Sequence, residues 1–120
     1  MYDHLGLRVK DLTASVALYQ ALLAPLGHVV LSQDATSAGF GPKGGSASLW
    51  LLADPAGGGA HVAFRAPHRD AVAKFHAAAL AAGAKDNGKP GVRADYSPTY
   101  FASFVIDLDG NNLEAVCFTP

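Results

Sequence analysis

The chain carries one cysteine, Cys117, among 120 residues, which excludes an internal disulfide framework and suits a reducing cytosol. No uninterrupted apolar run approaches the ~20 residues that cross a bilayer, although half of the residues are hydrophobic. The opening Met-Tyr-Asp-His-Leu-Gly lacks the basic region, the hydrophobic region and the cleavage site of a secretory signal. Nine basic and ten acidic side chains are scattered without runs. Neither the basic stripe of a nucleic-acid binder nor a basic amphipathic helix for a membrane surface is present. The expectation is a single cytoplasmic domain over residues 1–120. Its partner would be a small molecule, a second copy of the chain, or both.

What is there is a pattern that occurs twice. Tyr2 to Val9 alternates as a strand, with Leu5, Leu7 and Val9 on one face and His4, Gly6 and Arg8 on the other. Asp11 is placed to cap a helix carrying Leu12, Val16, Tyr19 and Leu23 at helical spacing, and Pro25 and Gly27 end it. Strands are predicted at His28–Leu31, Ala38–Phe40 and Ala47–Leu52. After the glycine-rich connection Ala53–Gly59, His61, Ala63 and Arg65 repeat the order of His4, Gly6 and Arg8. A second helix follows from about His68 to Ala82, stopping at Gly83. Three more strands are predicted around Ala84–Arg93, Thr99–Asp107 and Asn112–Phe118.

Each half thus reads strand-helix-strand-strand-strand, with module one at about 1–53 and module two at about 60–120. The fold class expected is α+β, two βαβββ modules building a curved, largely antiparallel sheet with helices on its convex side. The face of Leu5, Leu7 and Val9 would lie under the helices. The opposite face, with both histidines, would line a cup.

Glu114 sits in the middle of an apolar final strand, where a carboxylate costs several kcal/mol to bury unless it is paired or bound to a cation. His4, His61 and Glu114 all take positions that do not face the core. Two imidazoles and a carboxylate suit a divalent ion with open coordination sites, and the small neighbours Gly6 and Ala63 leave room beside each histidine. Tyr100 and Phe104 share a parity on the penultimate strand, and Phe40, Trp50, Arg93 and Tyr96 are further candidates to line the cup. Such aromatic walls suit a small planar or apolar ligand. Arg8 and Arg65 would either receive an anionic group of that ligand or hold Glu114. His28, His68 and His76 read as solvated or structural, and Cys117 as a buried small hydrophobe.

Three stretches then carry a resemblance over essentially the whole chain. Asp3-His4-Leu5-Gly6-Leu7-Arg8-Val9, Ala60-His61-Val62-Ala63-Phe64 and Asp107-Leu108-Asp109-Gly110-Asn111-Asn112-Leu113-Glu114 resemble the vicinal oxygen chelate superfamily, the glyoxalase, bleomycin-resistance and extradiol-dioxygenase group. The resemblance implies paired βαβββ modules and metal ligands at His4, His61 and Glu114, expected from one chain of a homodimer. The ion implied is Fe, Mn, Ni, Co or Zn. Glyoxalase I members place a fourth ligand, a glutamate, where Trp50 or Ser48 stands here, which argues against glutathione-dependent glyoxalase activity. Extradiol members carry a tyrosine ten residues before the glutamate, where this chain has Phe104, with Tyr100 on the same face.

The function expected is that of a metal-dependent enzyme, of lyase, isomerase or dioxygenase type, acting on a substrate chelated through vicinal oxygens. Glu114 would be catalytic as a ligand, and Tyr100 would position substrate or exchange a proton. The alternative is a small-molecule-binding resistance protein without turnover.

Overall fold

The computed structural model describes residues 1–120. The order of elements is β1 (Leu5–Val9), α1 (Leu12–Leu23), β2 (His28–Gln33), β3 (Ser37–Pro42), β4 (Leu49–Ala53), β5 (His61–Arg65), α2 (Arg69–Ala81), β6 (Lys85–Val92), β7 (Phe101–Ile106) and β8 (Asn112–Cys117). Two βαβββ modules are therefore present, as the repeat implies. Neither helix is long and apolar enough to cross a membrane.

Local chemistry explains where the helices begin and end. The Asp11 carboxylate accepts from Ala14 N at 3.1 Å, satisfying one free amide at the start of α1. A 3₁₀ turn at Ala24–Leu26, with Pro25 inside it, closes the helix before Gly27 reverses the chain at φ 87°. His68 caps α2 in the same way, its Nδ1 accepting from Ala71 N at 3.1 Å. The other two unassigned histidines differ. His76 is buried and its Nε2 lies 2.9 Å from Asp86 Oδ1, while His28 is half-buried at the start of β2.

The strands form two mixed four-stranded sheets, ordered β1-β4-β3-β2 and β5-β8-β7-β6. The first strand of each module runs parallel to its last, and the remaining pairs are antiparallel. The curved surface is thus built in two hydrogen-bonded halves. β1 and β5 are edge strands that flank a seam without pairing across it.

The core is one cluster of 24 buried residues that draws on both modules and both helices, including Val9, Tyr19, Leu22, Leu51, Phe75 and Leu113. Fully burying a side chain of this kind contributes roughly 1.5–3 kcal/mol. Phe40, expected in the cup, belongs to this core. It is 1% exposed and packs on Tyr19 with ring centroids 6.2 Å apart. The register gives the reason: Ala38 and Phe40 pair with the core residues Leu51 and Leu49, which leaves Gly39 and Gly41 on the cup face.

The Asp-Leu-Asp-Gly-Asn-Asn turn does more than reverse the chain. Asp107 Oδ1 accepts from Asp109 N at 2.9 Å and from Asn111 N at 2.8 Å. Its other oxygen accepts from the Tyr19 hydroxyl and, at 2.8 Å, from Asn111 Nδ2. Asn111 Oδ1 in turn accepts from Gly59 N and Ala60 N at 2.8 and 2.9 Å. Asp109 accepts from Lys10 N at 2.9 Å. This buried network ties α1, the inter-module connection and β8 into one unit, and so places Glu114 relative to module one. Burial and the Asp107 charge together push the Tyr19 phenol far above its ordinary pKa, so it stays a donor.

Candidate functional site

The cup face of module two is read directly from its register. His61, Ala63 and Arg65 point from β5 to the same side, and Ala63 lies opposite Glu114, which lies opposite Phe104 on β7. A cavity of about 350 Å³ opens there, lined by His61, Tyr96, Tyr100, Phe104, Asn112 and Glu114.

Glu114 is 3% exposed, and neither arginine holds it. The Tyr100 hydroxyl donates to its Oε1. His61 Nε2 lies 3.3 Å from its Oε2. His61 Nδ1 is 3.0 Å from the backbone carbonyl of Asn112, and a carbonyl only accepts, so Nδ1 carries the proton. In the neutral ring, Nε2 then faces the carboxylate oxygen with its lone pair. That arrangement is repulsive unless a proton or a metal ion lies between them. The spacing suits an ion, because two ligands held at about 2.1 Å and a right angle lie roughly 3 Å apart.

His4 does not join them. No group of three His, Cys, Asp or Glu side chains is disposed to hold a metal ion, so the three-ligand cluster expected within one chain is not assembled. His4 Nδ1 is 2.7 Å from Asp3 Oδ1 in a pair that is largely exposed on both sides. Exposed pairs of this kind are worth about 1 kcal/mol or less, so little energy holds the imidazole in its present rotamer. Of the three expected ligands, His61 and Glu114 thus face each other and His4 stands apart from them.

The other expected cup residues divide by module. Trp50 lies in module one, in a separate cavity of about 330 Å³ with His4, Gly6, Ser37 and Leu52. Its ring covers Gly39, where a Cβ would sit 2.9 Å from the indole. Phe104 is on the wall beside Glu114, braced by the Arg93 guanidinium 5.4 Å above its ring. Arg93 is committed to backbone, donating to Gly91 O and Lys89 O at 2.9 and 2.7 Å. Tyr96, 67% exposed, is at the rim, edge-on to Tyr100 with centroids 5.0 Å apart. Burial and then the bond to Glu114 push the Tyr100 pKa up to about 12, so its hydroxyl stays protonated at neutral pH and donates its hydrogen bond.

Phe118 escaped the sequence reading. Its ring is edge-on to Tyr100 at 5.3 Å and lies beneath the Arg65 guanidinium at 5.0 Å. Its parity with Glu114 on the last strand was the available signal.

The model of one sequence family, described as "Glyoxalase/Bleomycin resistance protein/Dioxygenase superfamily", matches residues 2–115. No curated protein matches the sequence. Among solved structures, a glyoxalase/bleomycin resistance protein from Albidiferax ferrireducens T118 superposes with a TM-score of 0.80 at 23% identity, covering 97% of each chain. A glyoxalase/bleomycin resistance protein/dioxygenase family enzyme from Burkholderia phytofirmans PsJN gives 0.74 at 16% identity over 98% of each chain. A glyoxalase-related enzyme from Fulvimarina pelagi gives 0.73 at 16%, covering 97% of this chain and 86% of its own. At these identities the likeness concerns the fold.

Proposed function

Since the chain belongs to the glyoxalase/bleomycin resistance protein/dioxygenase superfamily, we propose that it is a divalent-metal-dependent enzyme acting on a small substrate held through two vicinal oxygens. One observation carries the reading: His61 Nε2 and Glu114 Oε2 face each other at 3.3 Å in a concave site. His61, Glu114 and His4 would hold the ion. When bound, it supplies Lewis acidity toward the two substrate oxygens and toward negative charge that develops on them. The chain's own groups do the rest. The Asn112 carbonyl keeps His61 in the tautomer that presents Nε2. Tyr100 orients Glu114 and holds a proton next to the reacting centre. Phe104, braced by Arg93, limits water on one side. The chain is read as a homodimer, and the exposed Leu5, Leu52 and Tyr96 supply apolar surface for a partner copy.

Elemental analysis of untagged protein beside the His61→Ala variant tests this. Near-stoichiometric Fe, Mn, Ni, Co or Zn in the parent and none in the variant is the expected result. Equal metal in both would remove the site.

A second reading, a ligand-sequestering protein without turnover, has its own observation. Both Glu114 oxygens have a partner without any ion, from the Tyr100 hydroxyl and, once protonated, from His61. It predicts ligand binding that survives a chelator, with no product formed.

A further inference from the structure

The two cup-facing arginines, Arg8 and Arg65, occupy equivalent places in the repeat, and their surroundings differ. Arg8 Nε faces Asp54 Oδ2 at 3.6 Å, so its charge is answered within module one. Arg65 has no carboxylate within ion-pair distance and donates no hydrogen bond. Its guanidinium instead rests 5.0 Å over the Phe118 ring, whose edge meets Tyr100, whose hydroxyl is on Glu114. Arg65 shares the cup face with His61 and Ala63 and sits two residues beyond the rung that pairs Ala63 with Glu114. It also lines the cavity of about 240 Å³ at the seam, beside His4 and Ser48.

We propose that Arg65 receives the carboxylate of a small organic acid whose apolar or aromatic body lies along Phe118 and Tyr100, and that this residue sets the site's preference for anionic ligands. This names the ligand class for the cup and rests on the small-molecule reading above, though not on its metal. A carboxylate fits better than a phosphate. One guanidinium fork matches one planar carboxylate in two parallel hydrogen bonds. A phosphate monoester would bring close to two negative charges near Glu114, with Arg93 already committed to carbonyls. Stacking on Phe118 holds the guanidinium plane ready without satisfying its N–H groups.

The test titrates metal-free protein with benzoate and with benzamide, which share size and shape and differ in charge, following binding by calorimetry. The expected result is benzoate binding roughly tenfold tighter than benzamide, as charge-assisted hydrogen bonds require. That preference is lost in Arg65→Gln, partly kept in Arg65→Lys, unchanged in Arg8→Gln, and reduced by added salt. No preference in the parent, a preference that survives Arg65→Gln, or an equal loss in Arg8→Gln overturns the assignment. Metal content, measured on the same preparations, is a separate readout. Metal-free parent that still prefers benzoate keeps the Arg65 assignment even if the metal reading fails.

Discussion

On one rung of module one, Gly39, Trp50 and Gly6 lie side by side across β3, β4 and β1. On the equivalent rung of module two, the residues are Phe104, Glu114 and Ala63 across β7, β8 and β5. The strand order and pairing sense are the same, but the bulky ring has moved to the neighbouring strand and a carboxylate has taken its place. In module one the indole lies over a glycine, and His4 beside it turns to Asp3. In module two the strand next to the carboxylate supplies the ring, and His61 turns to the carboxylate. The turns before the last strands differ too. Residues 42–46 are exposed, whereas Asp107 and Asn111 are buried in a hydrogen-bonded hub. A duplicated backbone thus carries one chemically equipped half and one that offers an apolar wall and a spare imidazole. Repeat symmetry sets where side chains point, and the residue at each rung decides what they do.

The largest effect that would break this asymmetry is on metal. Glu114→Gln keeps the shape and removes the charge. Because losing a group that merely orients a ligand costs 10–100-fold, losing the ligand should weaken metal binding by at least about a hundredfold. Trp50→Ala, on the same rung of module one, should leave metal content unchanged, and elemental analysis of both variants checks the pair.

The turns offer the next contrast. Asn111→Ala removes bonds to Gly59 N, Ala60 N and Asp107 and leaves buried polar groups unpaired. The expected loss in chemical denaturation is roughly 2–4 kcal/mol. Ser46→Ala, in the exposed module-one turn, should cost within about 0.5 kcal/mol. Equal losses would mean that Asp107 and Asn111 do not form a hub.

Gly39→Ala probes the exchanged ring. A Cβ there would lie 2.9 Å from both the indole and Ala47, and the overpacking should cost about 1–3 kcal/mol and shift Trp50 fluorescence. An unchanged spectrum would show that the indole does not rest on Gly39.

The smallest effect is on pH. The Tyr100 pKa is raised in the folded state to about 12 from 10.0, so its contribution to stability is complete below pH 10. It is lost as pH rises through the window from 10 to 12. Absorbance near 295 nm should show a tyrosine titrating at the top of that window, absent in Tyr100→Phe. If the step that Tyr100→Phe removes lies near pH 10 instead, the hydroxyl is not held by Glu114.

Much of this is legible in the sequence. The cap at Asp11, the helix start near His68, the stops at Gly27 and Gly83, and the alternation of His4, His61 and Glu114 against the core-facing residues follow from local rules of period, capping and turn chemistry. Phe40 was misplaced because its ring was weighed as a candidate wall, although Gly39 and Gly41 on either side marked the opposite face of β3 as the one left open. The buried roles of Asp107 and Asn111 are not legible locally, since their partners Tyr19 and Gly59 lie 88 and 52 residues away in sequence.

The chain's own order determined the repeat, the two-module α+β plan and the set of side chains on the cup face, because periodicity of two or 3.6 is a property of neighbours along the backbone. Only the tertiary structure decided which partners those side chains meet. It gave Glu114 to Tyr100 and His61, paired Arg8 with Asp54 and left Arg65 over Phe118. Those choices depend on register, seam and turn packing across strands remote in sequence, where a shift of a single rung would change every partner.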